Sequence, residues 1–155
     1  MKKVLIFLFL LPVILIGCSG SQSEAHDLKL DIITRQINSW VNLMPGSKPS
    51  FYISGSLKIK NNEYAVIDSV KLLKCEVLQE GKTLYELHPD LRSSVSAMDP
   101  MNPGTDRIFT LYLPTGTPIK KELNLEKPVS VDLYLSALNK VKQYEIDSIY
   151  VIKTY

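Results

Sequence analysis

From residue 27 onward, apolar and polar residues alternate with period two in short runs separated by turn-forming residues, the pattern of half-buried strands in antiparallel sheets. Phe51, Ile53, Gly55, Leu57 and Ile59 fall on one side, with Tyr52, Ser54, Ser56, Lys58 and Lys60 on the other, and Asn61-Asn62 ends the run. A second stretch, 64–78, is broken around Asp68-Ser69, and its later part sets Leu73, Cys75 and Val77 against Lys74 and Glu76. Glu80-Gly81 then predicts a hairpin turn into 83–87. Phe109, Leu111 and Leu113 alternate with Ile108, Thr110 and Tyr112 until the segment 114–118, bounded by Pro114 and Pro118, stops the run. Val129, Val131, Leu133 and Leu135 form a further inward row, with Ser130, Asp132, Tyr134 and Ser136 outward, and 144–153 supplies a last strand. In the opening segment, Leu28, Leu30 and Ile32 alternate, whereas Ile33, Ile37, Val41 and Met44 fit helical spacing; the alternation favours a strand.

About seven strands and no long helix in some 130 residues predict an all-β domain over 27–155. An exposed apolar sheet face must be covered by a second sheet, so the expected architecture is a two-sheet antiparallel sandwich of immunoglobulin or fibronectin type III shape. A small barrel is the second possibility. The Cys…Trp…Cys spacing of antibody-type domains is absent.

The first 26 residues read differently. Met1-Lys2-Lys3 is a short positive region, followed by an unbroken apolar stretch from Val4 to Ile16. As a helix that stretch would reach only about 20 Å, short of the ~30 Å hydrocarbon core, and it contains Pro12, so the layout is that of a signal peptide over 1–17 in helical form. Residues 18–26 are rich in Ser, Gly, Gln and Glu and predict a flexible tether. No internal repeat is evident.

Leu15, Ile16, Gly17 and Cys18 resemble the lipobox of bacterial lipoproteins; an ordinary secretory signal with a chance cysteine is the alternative. The resemblance implies cleavage between Gly17 and Cys18, a diacylglycerol thioether on Cys18 and acylation of the new amino terminus. Two or three acyl chains hold a protein on a membrane effectively permanently, where one would be marginal. Ser19, where an aspartate would mark inner-membrane retention, implies the periplasmic face of the outer membrane in a Gram-negative host. Further along, 57–85, with its apolar strand, Asn61-Asn62 and the Glu80-Gly81 turn, resembles the water-stress domains of some bacterial lipoproteins.

Charge narrows the choice of partner. The 18 Lys+Arg exceed the 16 Asp+Glu by two, and Lys2 and Lys3 of the signal segment account for that excess. A neutral domain without a basic block lacks the footprint for nucleic acid or for a polybasic grip on anionic lipid. The expected associations are therefore with membrane, through the N-terminal lipid, and with a protein partner in the cell envelope.

Candidate chemistry is sparse. Once Cys18 carries lipid, Cys75 is the only thiol left, and its place beside Leu73 and Val77 predicts a buried structural residue. His26 and His88 are the only histidines and show no zinc spacing; there is no GxSxG elbow, no SxxK, no phosphate-binding glycine loop, and no cofactor is expected. The alternative to a partner-binding role is a small-ligand or copper(I) site formed by the thioethers of Met98 and Met101 with His88, in the proline-rich segment 88–106, which reads as one long irregular loop. Trp40, the only tryptophan, is either a core residue or an anchor for a partner, and Tyr52, Tyr112 and Tyr134 fall on outward strand faces. A non-enzymatic, lipid-anchored binding or accessory protein follows, with Trp40, His88, Met98 and Met101 as candidate binding residues.

Overall fold

A computed structural model describes residues 27–94 and 99–155. The signal helix, the Gly17–Cys18 cleavage site, the tether and Met98 lie outside the described residues. The chain forms two packed β-sheets and no helix among the described residues, which is the all-β, two-sheet class expected.

The strands are β1 (Leu30–Asn42), β2 (Ser50–Asn61), β3 (Lys71–Gln79), β4 (Lys82–Leu87), β5 (Asp90–Ser93), β6 (Asp106–Tyr112), β7 (Thr117–Pro118), β8 (Val129–Ala137), β9 (Lys140–Ile149) and β10 (Val151–Thr154). One sheet runs β10-β1-β2-β6-β5, with β7 also paired to β2; the other runs β4-β3-β8-β9. Ten strands replace the expected seven for physical reasons. β5 and β7 are short pieces inside segments rich in proline. The final run divides at Tyr150: β9, whose pairing with β8 shifts register around Ser148 where the backbone is left-handed (φ 59°), ends one sheet at Ile149, and β10 pairs with β1 of the other, in parallel.

The ambiguous opening segment is a strand, and a β-bulge explains its mixed signal. Pairing with β2 shifts register between Thr34 and Gln36, leaving Arg35 unpaired. Leu30 and Ile32 point inward before the bulge; Ser39 and Val41 point inward after it. One extra residue changes the parity of the alternation; of the helically spaced residues, Ile37 and Val41 join the second inward row, while Ile33 and Met44 are exposed.

A second bulge, between Leu72 and Lys74, corrects the expectation for Leu73. Cys75 and Val77 are buried as read, but Leu73 is exposed. Burial pushes the Cys75 thiol up to about 12, so the native cysteine stays protonated and inert. Asp132 faces outward as expected yet is nearly covered, its carboxylate accepting a 3.0 Å hydrogen bond from Gln143.

The inner rows read from β2, β6 and β8 form the core together with Leu84, Tyr85 and Leu87 of β4. The Phe51 ring stacks on that of Tyr85 across the two sheets, with centroids 4.9 Å apart and planes at 6°. Burial raises the Tyr85 hydroxyl above its ordinary range, and that oxygen accepts the Lys120 N–H at 2.8 Å.

Both tight hairpins use two residues with positive φ, as the twist of the flanking strands requires. Glu80-Gly81 makes the expected turn (φ 53° and 76°), and Leu138-Asn139 makes the β8–β9 turn (φ 51° and 58°). Leucine is a poor residue for left-handed backbone. Leu138→Asn is expected to raise the free energy of unfolding by about 1 kcal/mol, read as a shift of the urea midpoint at unchanged m-value; an unchanged or lower midpoint would refute the strain.

Candidate functional site

The outward residues of the six-stranded sheet form ordered cross-strand rows. Trp40 on β1 lies opposite Tyr52 on β2 and, on its other side, opposite Ile152 on β10. The Trp40 and Tyr52 rings stack with centroids 5.3 Å apart and planes at 7°. Beyond Tyr52 the backbone of Gly116 closes the row: a Cβ at 116 would lie 2.4 Å from Tyr52 Cζ. The glycine lets the 114–118 turn pass directly against the ring. Trp40 and Tyr52 are half-buried and Ile152 is exposed, so the row is an aromatic and aliphatic ridge, on a face left uncovered among the described residues, rather than part of the core.

The next rows join Asn38, Ser54, Tyr112 and Asp90, and then Gln36, Ser56, Thr110 and Arg92. Ser54, Gly55 and Ser56 are the smallest consecutive residues of β2, and between them and the longer side chains of β1 and β6 lies a trough of about 250 Å³. Gln36 and Asn38 flank it on one side, Thr110 and Tyr112 on the other. Gly55 is required by packing beneath it, because a Cβ there would stand 2.2 Å from Ile37 Cδ1 and 2.5 Å from the Gln36 carbonyl oxygen. The Arg92 guanidinium sits 4.7 Å from the centroid of the Tyr112 ring. A hydrogen bond with Asp90 holds the Tyr112 hydroxyl above its ordinary range, with Arg92 opposing. The face thus combines an apolar ridge with amides, hydroxyls and an oriented cation, a mixture suited to recognition.

The opposite outer face differs in charge. Glu86, Glu76, Asp132 and Glu145 stand in one cross-strand row. Lys74 lies 2.6 Å from Glu76 and 3.3 Å from Glu86, and Tyr134 donates to Glu76 at 3.1 Å. These contacts hold Glu76 below the usual carboxylate range, while Asp147 and Asp132 push Glu145 above it. No group of three or more His, Cys, Asp or Glu side chains among the described residues is arranged to hold a metal ion.

Of the candidate ligands for copper, Met101 and His88 are described, and the two do not share a surface. Met101 is 2% exposed and bridges by its backbone to Ile67, so its side chain belongs to the core. His88 is exposed, with Nδ1 3.0 Å from the Leu73 carbonyl oxygen. The segment 88–106 is not one irregular loop, because β5 and the Ile67–Met101 bridge lie within it. Of the described candidate binding residues Trp40, His88 and Met101, Trp40 sits on the ridge. The partners that complete its site, Tyr52, Gly116 and Ile152, come from three other segments. Only the outward placing of Tyr52 and the glycine of the 114–118 turn hinted at them.

No family model matches the chain, and no curated protein sequence matches it.

Proposed function

We propose that the chain is a lipid-anchored lipoprotein of the bacterial cell envelope, held through Cys18 and facing the periplasm from the outer membrane. In this reading its β-sandwich carries out no catalysis and binds a protein partner with the outer face of the six-stranded sheet. The observation that carries the binding role is the Ile152–Trp40–Tyr52 ridge standing on an uncovered sheet face beside the trough. Single exposed apolar residues are ordinary, but an ordered aromatic pair continued by an exposed isoleucine is the composition of an interface centre. The anchor is supported by Leu15-Ile16-Gly17-Cys18 at the end of an apolar signal segment. We further infer an immunoglobulin-like type. The orders β1-β2-β6-β5 and β4-β3-β8-β9 correspond to the A-B-E-D and C′-C-F-G sheets of that fold, and the parallel contact of β10 with β1 supports the assignment.

A photoreactive phenylalanine analogue at Ile152, in the full-length protein in cell envelopes, tests the binding face. The expected result is a discrete adduct that is lost when Trp40→Ala is added and absent when the analogue replaces Val141 on the opposite sheet. Equal labelling from both positions, or none from Ile152, would refute the assignment. The intact mass of the chain extracted from membranes tests the anchor: loss of residues 1–17 with added diacylglycerol and acyl mass is expected, and neither in Cys18→Ala.

A further inference from the structure

The two ends of the sandwich are unlike, and the end where the described chain starts carries its own exposed apolar group. Lys29 donates its backbone N–H to Glu63 Oε1 at 3.0 Å, and Lys140 lies 3.1 Å from the same oxygen. Glu63 therefore ties together the start of β1, the β2–β3 connection and the β8–β9 turn. These two contacts keep its carboxyl below the usual range, the Lys29 hydrogen bond contributing most. Around this tie Tyr64 is 93% exposed, Val66 42% and Leu138 38%. The Lys29 ammonium sits 5.8 Å from the centroid of the Tyr64 ring.

Three independent features make this group more than scattered surface residues. Asn61 is fully buried and donates to the Ala65 carbonyl at 2.9 Å and the Met101 carbonyl at 2.8 Å, while its Oδ1 accepts the Glu63 N–H at 2.9 Å. The projecting loop is thus held in shape from inside. Leu138 occupies a left-handed turn position that Asn or Gly would fill without strain, so an apolar side chain is kept at the tip against a local cost. The side chains are tyrosine and aliphatic residues flanked by lysines, which is the chemistry of a membrane interface: a ring or stem in the acyl boundary with a polar tip in the headgroups.

Chain length supplies the occupant. Eight residues separate Cys18 from Asp27. Fully extended they span at most about 30 Å, and as a flexible coil roughly 15 Å. β1, with 13 residues, is itself about 40 Å long, and it runs from Lys29 toward Met44 at the far end. We infer that the Tyr64–Val66–Leu138 end seats on the bilayer that holds the protein's own acyl chains, with Lys29 and Lys140 at headgroup level. The sandwich then stands upright and holds the Trp40 ridge away from the membrane. This inference rests on the lipid-anchor reading. The contact needs little affinity of its own, since the tether keeps the surface at high local concentration.

The test uses the full-length protein extracted from membranes and placed in phosphatidylcholine–phosphatidylglycerol vesicles containing a nitroxide-labelled lipid. A fluorophore is attached to Tyr64→Cys, and in parallel variants to Ser47→Cys at the far end and Glu145→Cys midway along β9 on the outer face of the smaller sheet; Cys75 is buried and does not compete. Quenching at 64 is expected to exceed that at 47 and at 145 by about twofold or more, and to fall when Leu138→Asn is added. Equal quenching at all three positions, or strongest quenching at 145 from a sandwich lying on its side, overturns the upright seating while leaving the anchor standing. A chain recovered without acyl mass that stays free of vesicles overturns the anchor itself, and the seating with it.

Discussion

Phe51→Ala is expected to lower the free energy of unfolding by about 3–5 kcal/mol, a large part of the 5–15 kcal/mol available to a domain of this size. Phe51 is fully buried near the start of β2, the middle strand of the larger sheet, and its ring stacks on Tyr85 of the other sheet. The substitution removes the buried area, leaves a cavity between two sheets that cannot collapse independently, and loses the ring pair, itself worth about 1 kcal/mol. Tyr85 is also fixed at its far end by the Lys120 N–H, so its ring is not free to follow the void. Phe51→Leu, which restores most of the volume, should recover more than half of the loss. Urea unfolding measures both, and a deficit below about 1.5 kcal/mol in the alanine variant would mean that the ring pair is not the centre of the core.

Asn61→Ala is expected to cost about 3 kcal/mol for a different reason. The side chain makes three hydrogen bonds in a water-excluded position, and its removal strands the Ala65 carbonyl and the Glu63 N–H. Hydrogen exchange should speed up most across residues 62–67, ahead of β2 and β8. Asn61→Asp separates the polar effect from the packing effect. It keeps the volume and the acceptor for Glu63 but aims a carboxylate at the carbonyl oxygens of Ala65 and Met101. That carboxyl's folded pKa must be raised above its unfolded value, so its deficit is smallest at acid pH, where it is protonated, and grows as pH rises through the unfolded and then the folded pKa. A deficit independent of pH, or exchange that speeds uniformly over the domain, would refute the local role given to Asn61.

Much of the sandwich was legible because its central strands obey period two without interruption: Phe51, Ile53, Leu57 and Ile59 on β2 and Val129 to Leu135 on β8 are buried as their spacing predicts. The failures lie where one residue breaks the period. The bulge at Arg35 switches the inward parity within β1, and the bulge at Leu73 turns an apolar side chain to solvent. The switch at Tyr150 carries no glycine or proline to announce it; residues 144–153 look like one strand because both halves are apolar on alternate positions. Asn61 reads as the end of its strand, and it is the last residue of β2, but only the fold shows that its amide is buried and organises the next four residues. The ridge was half legible. Trp40 stands out by type, whereas Ile152 and Gly116 become its neighbours through register and a turn that alternation does not encode.

The pairing of β10 with β1 has a consequence for how the chain comes to be folded. Ser39 to Asn42, near the start of the domain, find their outer neighbours in Val151 to Thr154, at its end. The first long strand can zip onto β2 soon after both exist, yet one of its margins remains an open ladder until the last residues have been delivered. For a polypeptide made amino terminus first, completion of this sheet is therefore set by the arrival of β10. During that interval the segment bearing Trp40 is the exposed, association-prone margin of an unfinished sheet. The four residues of β10 act as a closing clasp, and the face that carries Trp40 takes its final form only when they snap into place.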